Sequence, residues 1–330
     1  MNNRRPLVIC YMAIVLTVMV ILMGGWTRIM DAGLGCPDWP GCFGRITAPM
    51  SAAHIAEAQQ NYAGVEVDAG KGWIEMVHRY MASTLGLLIL LLAVIAWQKR
   101  KENGYPVRLS ILLLVLVVCQ GLFGMWTVTL KLLPPVVTGH LLGGLLTLTL
   151  LVMLQGKLRG ADEPEIQPAG RWMMRLAVLV LFMQILLGGW TSANYAGWAC
   201  THWLSCVEGQ RTDLDFRAGF SLRYDTDQNH QGGTLPQPAR AAIQMTHRLG
   251  ALVVTVVMLL VGVLALRNSA SRKPALVLFI LLVLQLFVGG ANVVYGIPVM
   301  LAWLHHLGAV LLLLCLLWLK SCYESEVRYE

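Results

Sequence analysis

Four histidines, His78, His140, His247 and His305, stand inside long apolar stretches of this 330-residue chain. An ionisable side chain in such a setting is costly and marks a functional position. The four fall into two pairs. Gln120 precedes His140 by 20 residues and Gln285 precedes His305 by the same 20, while His78-Arg79 has His247-Arg248 as its counterpart. Counted from the apolar boundaries at 1.5 Å per residue, all four lie ~8–11 Å below one face of a membrane. Two histidines from two helices at equal depth suit the two axial positions of one haem iron, for which neutral imidazole nitrogen is a standard ligand. Hydrogen bonding across helices explains one isolated histidine better, but not four that match in pairing and depth. Zinc fits less well, because it takes three or four protein ligands and each pair supplies two. The neighbouring His306 is turned ~100° from His305 around the helix, and the match of Gly308 to Gly143 selects His305.

Other residues around these pairs carry charge or sulfur. Three positions before His78 stands Glu75, and three before His247 stands Gln244. Residues three apart share a helix face, so Glu75 projects toward the ligand plane of His78. Gln244 is nearly isosteric but cannot exchange a proton. A buried carboxylate beside a metal centre can carry protons or stabilise a developing cation; the plainer reading is a wet carboxylate near the boundary. The asymmetry assigns reaction chemistry to the first half and a permanent cofactor to the second. Arg28, Arg79 and Arg248 are candidates to hold haem propionates, for which guanidinium is a natural bidentate partner, with snorkelling to lipid phosphates the equal alternative. Cys36/Cys42 and Cys200/Cys206 lie in connecting segments read as facing an oxidising side, which predicts a disulfide in each pair. Each is read as a structural staple, or as a redox-active pair exchanging with an outside thiol. Cys10, Cys119, Cys315 and Cys322 read as apolar fillers or free thiols, and His54, His202 and His230 as solvated loop residues.

The elements that must position these groups follow from composition. The chain is 57% apolar and only 13% charged, with a mean hydropathy of +0.63, which excludes an ordinary soluble domain and a disordered one. The formal charge of +7 comes from short basic runs between apolar blocks, so it signals membrane orientation rather than nucleic-acid binding. Eight stretches, roughly 7–30, 73–97, 109–130, 134–154, 172–195, 241–266, 274–295 and 298–319, are long enough to span a bilayer as helices. Segments 1–6, 98–108, 155–171, 267–273 and 320–330 hold 14 Lys and Arg in 52 residues, against 7 in 92 for the alternate set. The positive-inside rule then puts both termini in the cytoplasm. The long loops 31–72 and 196–240 face the outside of a bacterial inner membrane, or the equivalent compartment of an organelle.

An internal repeat organises all of this. Gly24-Gly25-Trp26-Thr27 recurs as Gly188-Gly189-Trp190-Thr191, and in each copy a cysteine follows twelve residues after the first glycine and a second six residues later. Matches at one offset of about 165 residues predict an all-α membrane protein of eight transmembrane helices, built as two repeated four-helix bundles over residues 1–160 and 161–330. The even number of spans per half makes the repeats parallel.

The residues now carry a family likeness. Gly24-Gly25-Trp26-Thr27-Arg28, Gly33-Leu34-Gly35-Cys36-Pro37-Asp38-Trp39-Pro40, Glu75-x-x-His78-Arg79, Gly139-His140, His247-Arg248-Leu249-Gly250 and His305, in this order, resemble the haem A synthase family of terminal-oxidase biogenesis across all eight spans. The resemblance implies an oxidoreductase that converts haem O to haem A, oxidising the C8 methyl to a formyl group by successive hydroxylations and loss of water. It also implies a substrate haem on His78 and His140 with Glu75 catalytic, and a haem b cofactor on His247 and His305. It suggests links to the haem O synthase (protohaem farnesyltransferase) and to oxidase assembly factors; a homo-oligomer is compatible with it. Three other readings compete: a dihaem cytochrome b electron carrier, a membrane thiol oxidoreductase built on the cysteine pairs, and a haem transporter or chaperone. The first would place its haems at two depths, the second leaves four intramembrane histidines idle, and the third predicts reversible binding without chemical change to the porphyrin.

Overall fold

The computed structural model describes residues 4–160, 168–202, 206 and 213–326. Among these residues there are ten α-helices: α1 (Arg4–Ile29), α2 (Ala52–Asn61), α3 (Ala69–Gln98), α4 (Val107–Thr129), α5 (Pro134–Leu158), α6 (Pro168–Ala193), α7 (Phe216–Gly219), α8 (Gln237–Ala265), α9 (Ser269–Val294) and α10 (Val299–Glu326). All but the short α2 and α7 are long and apolar enough to cross a membrane, so eight candidate spans are present. No strand occurs among the described residues beyond two isolated bridges, Cys42 with Arg45 and His202 with Cys206. The boundary expected after residue 160 adjoins 161–167, which lie outside the described residues, as do 207–212 of the second long loop and the terminal 327–330.

Hydropathy locates the spans but not their polar first turns. α3 begins at Ala69 because Asp68 caps it, accepting a hydrogen bond from Lys71 N at 3.0 Å. α8 begins at Gln237, with Pro238 in the first turn where a missing N–H costs nothing. Both helices start four residues earlier than their apolar stretches. The short amphipathic α2, capped by Ser51, has no counterpart among the expected elements. α5 opens on Pro134 and Pro135, directly after a tight turn in which Lys131 and Leu132 take positive φ of 48° and 62°.

The chain divides into two compact units, Met1–Ala161 with Tyr224–Gln231, and Asp162–Arg223 with Gly232–Glu330. In the first, α1 and α4 each pack on both α3 and α5; in the second, α6 and α9 each pack on both α8 and α10. The apolar core of the first unit, which includes Cys10, Leu85, Ile89, Leu92, Leu113, Leu151 and Leu154, fills the end of the bundle away from His78 and His140. Lipid tails are as apolar as these side chains, so close packing rather than water exclusion holds the helices together. The segment 224–231 belongs to the first unit: His230 N donates to Lys131 O at 3.0 Å, Lys131 Nζ to Asp227 O at 2.8 Å, and Gln231 Nε2 to Asp31 Oδ2 at 2.6 Å. His230 is therefore buried, with Nε2 bonded to the Asp225 carbonyl, rather than solvated as its loop position suggested.

The loop after α1 lies directly on the start of α3. A Cβ built on Gly35 would stand 2.6 Å from the Lys71 carbonyl carbon and 2.8 Å from Gly72 N, main-chain atoms that cannot swing aside. Gly35→Ala should therefore lift this loop and destabilise the protein by about 1–3 kcal/mol, the usual cost of overpacking. Thermal unfolding in detergent checks this: a lowered Tm is expected, and an unchanged one contradicts the close approach.

Candidate functional site

In each unit the two histidines meet across the bundle. His78 on α3 and His140 on α5 have ring centroids 6.4 Å apart with planes at 79°. His247 on α8 and His305 on α10 are 6.5 Å apart at 83°. The Nδ1 atoms of His78, His140 and His305 are buried without any hydrogen-bond partner, an unfavourable state for a polar atom that the protein itself leaves unresolved.

Glycines make the room. Each imidazole lies with Cε1 against a glycine of a neighbouring helix: His78 against Gly24 of α1, His140 against Gly124 of α4, His247 against Gly188 of α6 and His305 against Gly289 of α9. A Cβ there would come within 2.9–3.5 Å of the ring. Sequence reading used Gly24 and Gly188 only as markers of the repeat and missed Gly124 and Gly289. The signal was available, since Gly124 and Gly289 sit at the repeat offset, four residues after Gln120 and Gln285.

These donors fit a haem. Two metal–imidazole bonds of ~2.0 Å, each with ~1.1 Å from nitrogen to ring centre, put the centroids ~6.2 Å apart, close to both observed separations. Among the described residues no group of three or more His, Cys, Asp or Glu could hold a bare metal ion. A metal bound by only two side chains needs its remaining ligands from elsewhere, which a porphyrin provides.

The charged residues engage the cysteine loops. Glu75 is buried, with Oε2 accepting from Cys36 N at 2.9 Å and Oε1 paired with Arg79, four residues on. Arg79 Nη1 donates to the carbonyls of Asp38 at 3.0 Å, of Pro40 at 3.2 Å, and of Gly41. In the second unit Gln244 Nε2 donates to Gly197 O at 2.8 Å, and Arg248 donates to the carbonyls of His202 and Cys200. In both units, then, a polar residue and the arginine four positions on clamp the cysteine-bearing loop to the histidine helix. Arg28 lies 3.8 Å from Asp31. Cys36 is bonded to Cys42 and Cys200 to Cys206, and all four sulfur residues are buried. An outside thiol reaches them only if the loop opens. Cys10 and Cys315 are buried, Cys119 exposed and Cys322 half-buried, and none of them is in a disulfide.

A helical membrane bundle with two intramembrane imidazole pairs, each beneath a clamped disulfide loop, is the class of protein that fold and site define. Comparison with known proteins is more specific. The family model described as cytochrome oxidase assembly protein (COX15-CtaA) matches residues 7–317. A Shewanella oneidensis protein named heme A synthase is 38% identical over 95% of this chain and 97% of its own length. Proteins of the same name from Mesorhizobium japonicum, at 29% identity over 94% of this chain and 89% of theirs, and Rhizorhabdus wittichii, at 28% over 92% and 90%, match along the same span. The chain belongs to the COX15-CtaA family.

If the two imidazoles of each pair share one iron, their near-perpendicular planes leave the iron dπ orbitals almost degenerate. Electron paramagnetic resonance of the oxidised protein should then show a highly anisotropic low-spin ferric signal. A rhombic spectrum of the kind given by parallel imidazoles would contradict the ring geometry.

Proposed function

We propose that this protein is a haem A synthase, an oxidoreductase that converts the C8 methyl of haem O to a formyl group. The single observation that carries the reading is the pair of facing, glycine-seated imidazoles in each unit, in a chain of this family. Residues 1–160 and 161–330 form two repeated four-helix halves. His78 and His140 would hold the substrate haem, and His247 and His305 would hold haem b. The distribution of Lys and Arg, 14 in 52 residues on one side against 7 in 92 on the other, supports cytoplasmic termini and a multi-pass placement in the bacterial inner membrane. The chemistry requires haem O from a farnesyltransferase and delivers haem A to oxidase assembly.

Haem b in the second half would supply one-electron redox chemistry. The chain's own residues do the rest. The imidazole pairs would orient the porphyrins, and the glycines opposite seat the imidazoles. Glu75 is fixed by Cys36 N–H and by Arg79, on the face of α3 that also carries His78. There its carboxylate can take a proton from an incoming water or stabilise positive charge developing at the methyl carbon. Gln244, at the matching position of the second half, offers no proton exchange, which supports placing the reaction in the first half. The disulfide loop above holds Glu75 in place.

Replacing Glu75 with glutamine keeps the size and one acceptor oxygen but removes the exchangeable charge. The variant should retain bound haem, while haem extracted from cells that make haem O should shift to haem O or its hydroxymethyl form. A normal haem A yield from Glu75→Gln would remove the assigned role.

A further inference from the structure

Three of the four histidine sites share a second feature that the fourth lacks. On the helix facing each histidine, a glutamine stands four residues before the ring-seating glycine in three cases: Gln120 before Gly124, Gln184 before Gly188 and Gln285 before Gly289. On the histidine helix, a glycine stands three residues after the histidine in the same three cases: Gly143, Gly250 and Gly308. The two features interlock. A Cβ on Gly143, Gly250 or Gly308 would collide with the amide of Gln120, Gln184 or Gln285 respectively. Gln184 Nε2 donates to the main-chain carbonyl of His247 at 2.9 Å and lies 3.1 Å from its Nδ1. Gln285 Nε2 donates to the carbonyl of His305 at 3.0 Å and lies 3.5 Å from its Nε2.

The fourth site departs from the pattern at both positions. Val20 occupies the place of the glutamine, four residues before Gly24, and Met81 the place of the glycine, three after His78. Valine has no side-chain group to offer, so His78 is set apart by the missing amide and not by its buried, unpartnered Nδ1, which His140 and His305 share. The Val20 main-chain carbonyl is placed to accept a hydrogen bond from the ring, so what this site lacks is a side-chain amide.

We propose that the glutamine amide is a latch that holds an axial histidine in place, and that His78, which alone lacks it, is the ligand that lets go when a haem-type tetrapyrrole enters or leaves the first half. The inference rests on the haem-ligand reading given above. A hydrogen bond to the second nitrogen of a metal-bound imidazole fixes the ring's orientation and raises its basicity as a ligand. With iron on Nε2 of His247, the neutral ring carries its proton on Nδ1, the nitrogen that the Gln184 amide faces. Gln184 Oε1, buried with no partner of its own, becomes the acceptor once the amide turns over, since an amide serves either tautomer. The second half is then built to retain its haem. The first half holds one ligand with a facing glutamine, His140, and one without, which suits a site that must release product after each turnover.

The test uses full-length protein loaded with haem in detergent and mixed with excess apomyoglobin as haem acceptor. His140→Ala and His305→Ala identify which release phase belongs to which half. Gln184→Val should speed release from the second half about tenfold, the lower end of the effect of losing such a partner, and shift that haem to a higher reduction potential. The reciprocal variant Val20→Gln/Met81→Gly, which installs the amide and the space for it, should slow release from the first half by a similar factor. If either variant does not fold, the other decides. Haem loss in the His305→Ala control, with release rates and potential insensitive to both amide changes, overturns the latch alone. Haem content insensitive to His140→Ala and His305→Ala overturns the ligand reading, and the latch with it.

Discussion

A polar atom buried among helices must find a partner or lose the free energy of a hydrogen bond. This chain leaves ring nitrogens of three matched histidines in that state. The rest of each unit is arranged around the deficit. Leucine-rich packing closes one end of the first bundle, so the helices are held without help from the other end. At the histidine level the helices present glycine to imidazole, which keeps the backbones apart by a ring rather than by a side chain. A haem iron between the two rings of a pair would take one nitrogen of each and fix the proton on the other, and the glycines give each ring the space to face it.

The disulfide loops answer a different requirement. A carboxylate placed near a membrane boundary is stable only where its charge is balanced, and Arg79 with the Cys36 N–H does this for Glu75. In the second unit Gln244 and Arg248 hold the corresponding loop without a negative charge. The two clamps are mechanically alike and electrostatically different. Arg79 and Arg248 bond to main-chain carbonyls of their loops, which ties each loop to the helix that carries the histidine.

Much of this was legible in the sequence, and what was not has physical causes. Hydropathy gives all eight spans because twenty apolar residues leave the backbone no other way to satisfy itself in lipid. Pairing of His78 with His140 and of His247 with His305 follows from repeat spacing and depth. Helix starts at Ala69 and Gln237 escape hydropathy because caps and polar turns, not apolar runs, determine them. The seating of His140 on Gly124 joins two helices through a contact with no local signature, though its repetition at Gly289 and His305 makes it visible once one copy is known. The role of Arg79 depends on where a loop returns in space, and His230 is buried by a main-chain bond to Lys131, a hundred residues away in order of magnitude. Neither is written in local spacing.

The central claim is that one half carries a haem that the protein keeps and the other a haem that it changes. Mass spectrometry of haems extracted from the purified protein, made with and without a haem O-forming partner, tests it most directly. The account predicts haem B alone without the partner, and haem B together with haem A or hydroxylated haem O with it. Haem B in both preparations, at two per chain and with no modified porphyrin, would contradict the account and favour an electron-carrying cytochrome.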